Sequence, residues 1–336
     1  MVRQRLKVII ILFTVAVLIL DSRTALQGAA EGIQLCLQTL IPVLFPLIFA
    51  ITLLASSLPH FSSRISRPLC KLYLIPEGSE GLLLTGLLGG YPVGAQTIVQ
   101  AVHDGGLVQE AAQQMLVFCN ACGPAFIFGI GSHLFSNHWV PWIIWIIHIL
   151  SGLLTARLLN STFKPKNSHP HNTATTIQEG LHRAIRSISQ ICGWVILMRI
   201  LIKILQHWLL WCLPPLAQII CIGFLELSNG CVSLTLVAND GLRFILYAAF
   251  IGFGGICVVF QSIGISQFVG SELYLPGKLL QCSISALLAG LLCPLLLNFD
   301  TSIALLTAVS VVLIPVCLFW IRKKQNKARI LLSVGV

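Results

Sequence analysis

Long apolar runs dominate this chain. Val8–Leu20, Leu40–Leu58, Trp139–Leu159, Ile185–Leu205, Leu279–Leu297 and Thr301–Ile321 each read as a helix near the ~20 residues needed to span a bilayer. Val8–Leu20 is short, so its helix is expected to extend over Arg5 or Lys7. Ala25–Gln38 carries apolar residues at helical spacing with Gln27, Glu31, Gln34 and Gln38 between them, a pattern expected of a helix lying flat at a membrane interface.

Two further apolar stretches, Gly81–Phe135 and Pro215–Phe268, are interrupted by glycines at matching places. The first interruption is Gly86-Leu-Leu-Gly-Gly-Tyr-Pro-Val-Gly-Ala95, and its counterpart is Gly223-Phe-Leu-Glu-Leu-Ser-Asn-Gly230. A polar turn follows each, at Asp104-Gly105 and Asp240-Gly241; each turn leads to a second break, Asn120-Ala-Cys-Gly-Pro124 and Gly252-Phe-Gly-Gly255. Interrupted segments in corresponding positions of two halves point to a transporter's binding site. Backbone groups freed by such breaks cannot face lipid, so they must face protein or a watery cavity. Half-helix N-termini also present N–H donors suited to an anion.

Composition places the chain in the membrane. It is 56% hydrophobic and 10% charged, against about 25% charged in a soluble domain, and its mean hydropathy is +0.90. The net charge of +10 does not indicate nucleic acid, because the basic residues cluster beside apolar runs and no aromatic-interleaved basic domain exists. The clusters are Arg3, Arg5 and Lys7; Arg64, Arg67 and Lys71; Lys164, Lys166, Arg183 and Arg186; and Arg322, Lys323, Lys324, Lys327 and Arg329. Such clusters mark cytoplasmic loops. The start resembles a signal peptide but lacks a clear A-x-A site, so it reads as a retained first transmembrane helix.

The loop charges predict about eight net crossings with both termini cytoplasmic. For the charges to fall inside, Gly81–Phe135 must cross outward and Pro215–Phe268 inward. The two halves then have opposite orientations, an all-α fold of two inverted repeats. The expected organisation is 1–38, a first transmembrane helix and an interfacial helix; 39–159, repeat one; 160–184, a cytoplasmic linker; 185–298, the inverted repeat two; and 299–336, a last helix and basic tail. Inverted repeats place a cargo site near the midplane where they meet.

Candidate chemistry gathers at the breaks. Glu226 is an ionisable group in an apolar stretch, a functional candidate by default; it would bind a coupling proton or cation, bond to cargo, or hold the opposite break. Ser228, Asn229, Gln96, Asn120 and Gln261 supply neutral donors and acceptors, Tyr91 a ring and a hydroxyl, and Gly90, Gly94, Gly123, Gly254 and Gly255 exposed backbone. Asp104 and Asp240 read as turn residues. Arg199 and Lys203 are placed to snorkel, with no partner indicated. His148 reads as a core histidine. Trp139, Trp142, Trp145, Trp208 and Trp211 sit where an aromatic belt would.

Most of the twelve cysteines fall in apolar runs and act as small hydrophobes. Cys119-x-x-Cys122 lacks the further ligands of a zinc site, and His169 and His171 read as part of a solvated linker. No P-loop, dinucleotide fingerprint, nucleophile elbow or H-E-x-x-H appears, so neither an enzyme nor a cofactor is expected. The partners expected are the bilayer and a small solute; the oligomeric state is left open.

The chain resembles the YlbJ-type sporulation integral membrane proteins, within the nucleoside-recognition (Gate) domain proteins. The resemblance rests on Pro42-Val-Leu-Phe-Pro46, Gly90-Tyr-Pro-Val-Gly-Ala95, Phe118-Cys-Asn120 with Gly123-Pro124, Glu226-Leu-Ser-Asn-Gly230, and Phe253-Gly-Gly255 through Gln261. It implies a multi-pass plasma-membrane protein of endospore formers that passes a small molecule, with dipicolinate the cargo associated with that type. Nucleosides or other small metabolites are the alternative cargo, and a non-transporting sporulation membrane scaffold is the alternative from another class.

Overall fold

The computed structural model describes residues 2–57, 67–159, 176–267, 269–296 and 301–333. The linker histidines His169 and His171 lie outside them. Among the described residues every regular element is helical. The chain opens with α1 (Val2–Leu20), α2 (Ser22–Leu35), a π-helical turn at Cys36–Leu40 and α3 (Ile41–Ser57). It continues through α4 (Arg67–Tyr73), α5 (Glu80–Gly89), α6 (Val93–His103), α7 (Gln109–Cys119), α8 (Pro124–Leu134) and α9 (Trp139–Leu159). Then come α10 (Ile177–Trp208), α11 (Pro215–Leu225), α12 (Leu227–Ser233), α13 (Asp240–Phe253), α14 (Gly255–Ile265), α15 (Tyr274–Leu296) and α16 (Thr301–Ser333). Six stretches of the described residues are long and apolar enough to cross a membrane: Ser22–Leu54, Gln109–Leu134, Trp139–Leu159, Ile177–Trp208, Asp240–Ile265 and Tyr274–Pro294. This is an all-α polytopic membrane protein.

Residues 22–57 form one helical run through the π turn, so the segment expected to lie flat at an interface is instead the first half of a long helix. It packs along α10 through a stripe of small residues. A Cβ on Gly28 would lie 2.8 Å from Ile200 Cα, and one on Gly32 2.9 Å from Ile196 Cα. Cys36 Sγ lies 3.8 Å from the Cys192 carbonyl. These three pairs advance by four residues on one helix and retreat by four on the other, so the helices run antiparallel. Small residues at this spacing let membrane helix backbones approach closely. Glu31 projects from the same seam and meets Arg199 Nε at 2.9 Å and Lys203 Nζ at 2.7 Å. The two cations expected to snorkel therefore share one carboxylate.

The glycine breaks take two forms. Gly86 and Gly94 both abut the Cys119 carbonyl; a Cβ on either would lie 1.9 or 2.3 Å from its oxygen. Residues eight apart in one continuous helix stand about 12 Å from each other, so α5 and α6 fold back on one another. In the other half a Cβ on Gly230 would lie 2.2 Å from Gly223 Cα. Seven residues of continuous helix would separate them by about 10 Å, so α11 and α12 also form a hairpin. The second breaks instead interrupt spans that continue, α7 into α8 and α13 into α14. Each half thus presents, in the same order, a hairpin, a broken span and a long helix (α9 or α15).

Candidate functional site

The tips of both hairpins meet the breaks of both interrupted spans. A Cβ on Gly90 would lie 2.7 Å from Gly123 N, and one on Gly255 3.2 Å from Glu226 Cα; each tip rests against the break of its own half. Across the halves, a Cβ on Gly254 would lie 2.7 Å from the Tyr91 hydroxyl. Gly254 and Gly255 both have φ of +85° and Gly90 has φ of +71°, a region that disfavours a side chain. These positions therefore need glycine for conformation and for space.

A cavity opens where these parts converge. Its wall includes Gly90, Tyr91 and Gly123 from the first half and Glu226, Ser228 and Gln261 from the second, completed by apolar residues such as Leu44, Phe126 and Val195. About 50 Å³ of it is open to the centre of a water molecule, room for about four waters.

Glu226 is buried and points at the start of α12. Its Oε1 accepts from Ser228 N at 3.0 Å, and its Oε2 accepts from Asn229 N at 2.7 Å and Asn229 Nδ2 at 2.7 Å. The carboxylate thus caps the half-helix whose backbone donors it precedes in sequence. Those two N–H groups are taken by Glu226 in this conformation. Asn229 serves Glu226, and Ser228 both donates to it and lines the cavity.

Other predicted residues hold the frame rather than the cavity. Asn120 is buried and binds three elements at once: its Oδ1 accepts from Ala95 N at 3.2 Å, and its Nδ2 donates to Ser262 Oγ at 2.7 Å and Tyr274 Oη at 2.9 Å. That ties the first broken span to α6, α14 and α15. Gly94 packs against the Cys119 carbonyl. Gln96 faces away, accepting from Ser187 Oγ at 3.3 Å. Asp104 accepts from Gln100 at 2.7 Å, and Asp240 pairs with Arg243 at 2.9 Å, both as local turn chemistry. Cys119 and Cys122 are buried and free, and the described residues hold no group of three potential metal ligands.

No protein-family model matches the chain. One curated protein does: the "Sporulation integral membrane protein YlbJ" of Bacillus subtilis (strain 168), 21% identical over 178 residues. The match covers 51% of this chain and 44% of that protein. The chain is thus a membrane protein with a distant sporulation membrane relative. No solved structure matches.

Sequence reasoning missed Lys278. This residue is fully buried in α15, where its Nζ donates to Gln281 Oε1 at 3.0 Å and lies 5.2 Å from the Tyr91 ring centroid and 5.8 Å from that of Tyr274. In the sequence it falls immediately before Leu279–Leu297 and reads as a flanking charge. Extending that span by one helical turn would have brought Lys278 inside the bilayer on the same face as Gln281 (spaced i, i+3), which the span already holds.

Proposed function

We propose that this protein moves a small polar, anionic organic solute across the cell membrane, through the cavity between its two halves. The observation that carries this reading is the convergence of two hairpin tips and two broken spans on one partly polar cavity within an apolar helical bundle. Irregular backbone at membrane depth is tolerated only where it is buried in protein or faces such a cavity, and transporters place their sites at interrupted helices. A scaffold needs no such space.

In this reading the halves are inverted repeats, both termini are cytoplasmic, and the cavity is a closed arrangement of the passage. Room for a few waters is too little for a solute with an aromatic ring, so a hairpin tip must move to admit one. Glu226 sits at the tip of the α11–α12 hairpin, and its protonation, or a cation binding to it, would release α12 and couple solute passage to that ion. The sporulation name of the Bacillus subtilis relative, with the sequence resemblance to that type, favours a dipicolinate-like dicarboxylate over a nucleoside.

The test is flux of labelled dipicolinate into liposomes holding the full chain, with a nucleoside as control and Glu226→Gln beside the wild type. Dipicolinate uptake lost in the variant is the expected result. Uptake of the nucleoside alone would replace the cargo. No uptake of either, with folded protein confirmed, would overturn the reading for these solutes.

A further inference from the structure

Lys278 is a cation buried in a membrane span with no carboxylate within ion-pair distance among the described residues. Such a charge is expensive in lipid and pairs with something. Its hydrogen-bond partner, Gln281, is neutral and uses its oxygen, leaving the ammonium with donors in excess.

The surrounding side chains have the same surplus. Gln281 is fully buried and its Nε2 has no acceptor. His148 on α9 is buried; its Nε2 accepts from Cys122 N at 3.2 Å, so the ring proton sits on Nδ1, which has no acceptor. The Tyr91 hydroxyl is buried without a partner as well. These groups are neighbours. Gly152, one helical turn beyond His148, approaches Gln281 closely, with a Cβ there lying 3.4 Å from Nε2. The Tyr91 ring centroid lies 5.2 Å from the Lys278 ammonium.

We propose that Lys278, Gln281, His148 and Tyr91 form a buried anion-binding site for a small carboxylate. Every unsatisfied nitrogen in the cluster is a donor, and the tyrosine hydroxyl donates as readily as it accepts. An acceptor-only group with about four lone-pair sites, which is an ionised carboxylate, matches that set. The site lies outside the lining of the cavity, and Tyr91 joins the two by lining the cavity while its ring neighbours Lys278.

The test is thermal unfolding of the full chain in nanodiscs, titrated with acetate at constant ionic strength, with a bulky buffer sulfonate (HEPES) making up the balance. The expected result is a saturable rise of a few degrees in the midpoint with acetate and none with neutral acetamide. Lys278→Met should lose the rise while starting no lower than the wild type, since it removes an uncompensated buried charge. Gln281→Glu supplies a carboxylate beside Lys278 within the chain; it should start higher and be indifferent to acetate. Equal responses to acetate and acetamide, or an acetate rise kept in Lys278→Met or in Gln281→Glu, would overturn the site. An equal rise with chloride would overturn its assignment to carboxylates. Acetate binding without solute flux would leave this site standing and overturn the transport reading for the solutes tested; flux without acetate binding would do the reverse.

Discussion

At Gly254 a side chain meets two obstacles at once. Its φ of +85° costs an L-residue roughly 1–2 kcal/mol, and the new Cβ would press on the Tyr91 hydroxyl at 2.7 Å. Gly254→Ala is therefore expected to lower the thermal midpoint and to displace Tyr91. Gly193→Ala is the control: it lies in α10 with nothing within 4 Å of its Cβ position, so it should be neutral or add up to about 1 kcal/mol. Glu226→Gln keeps shape but turns an amide N–H2 toward the Ser228 or Asn229 donors. Leaving one donor unpaired should cost about 1–3 kcal/mol, read by denaturant or thermal unfolding independently of any flux. The sequence announced both residue types, glycine by its clustering and Glu226 by its isolation in an apolar stretch. It was silent on Lys278, because a charge next to a predicted span looks like an anchor until the helix is seen to begin earlier.

Among elements, the seam of α2 and α3 with α10 decides how the N-terminal helices are placed. Gly32→Leu would drive a side chain into Ile196, whose Cα is 2.9 Å from the modest Cβ alone. Overpacking of this kind costs about 1–3 kcal/mol, and a double-mutant cycle with Ile196→Ala should recover part of it. The end of the same seam is expected to respond to pH. Asp21, at the α1–α2 corner, accepts from Trp208 Nε1 at 2.9 Å and lies 2.8 Å from His207 Nδ1. Hydrogen bonds from Thr24, then His207, hold its carboxyl below the ordinary carboxylate range. A depressed carboxyl contributes above its ordinary value and loses that contribution as pH falls through the lowered one. Acidification should therefore change Trp208 fluorescence in the wild type, and Asp21→Asn should abolish that step. The polar residues of Ala25–Gln38 were read as an interface pattern. Helical spacing reports that one face differs from the other, and a face buried on a partner helix gives the same pattern as a face turned to lipid.

For the whole molecule, the charge clusters and the order of hairpin, broken span and long helix recur in both halves. With inverted halves, impermeant maleimide applied to intact cells should label Cys212, in the α10–α11 connection and exposed. A cysteine introduced by Lys323→Cys should react only after permeabilisation. Labelling of both from outside would remove the inverted topology. The Asn120 hydrogen bonds to Ser262 and Tyr274 join the halves, so Asn120→Leu should loosen both together and lower the unfolding free energy by about 2 kcal/mol or more, as a buried network broken on one side does.

What the sequence by itself determined is the solvent: apolar run length sets membrane residence and helical class, because lipid leaves unpaired backbone no alternative partner. It also located the breaks, since glycine clusters and an isolated carboxylate are local facts. Only the tertiary structure decided that the first break in each half folds back while the second merely interrupts, that Glu226 caps its own half-helix, that Asn120 binds frame rather than cavity, and that Lys278 is buried beside Tyr91. The placements of Asn120 and Lys278 depend on surfaces that meet across more than a hundred residues of chain, and side-chain type and spacing carry no record of that distance; the fold-backs and the Glu226 cap are local, but packing decides which way the backbone turns at each break.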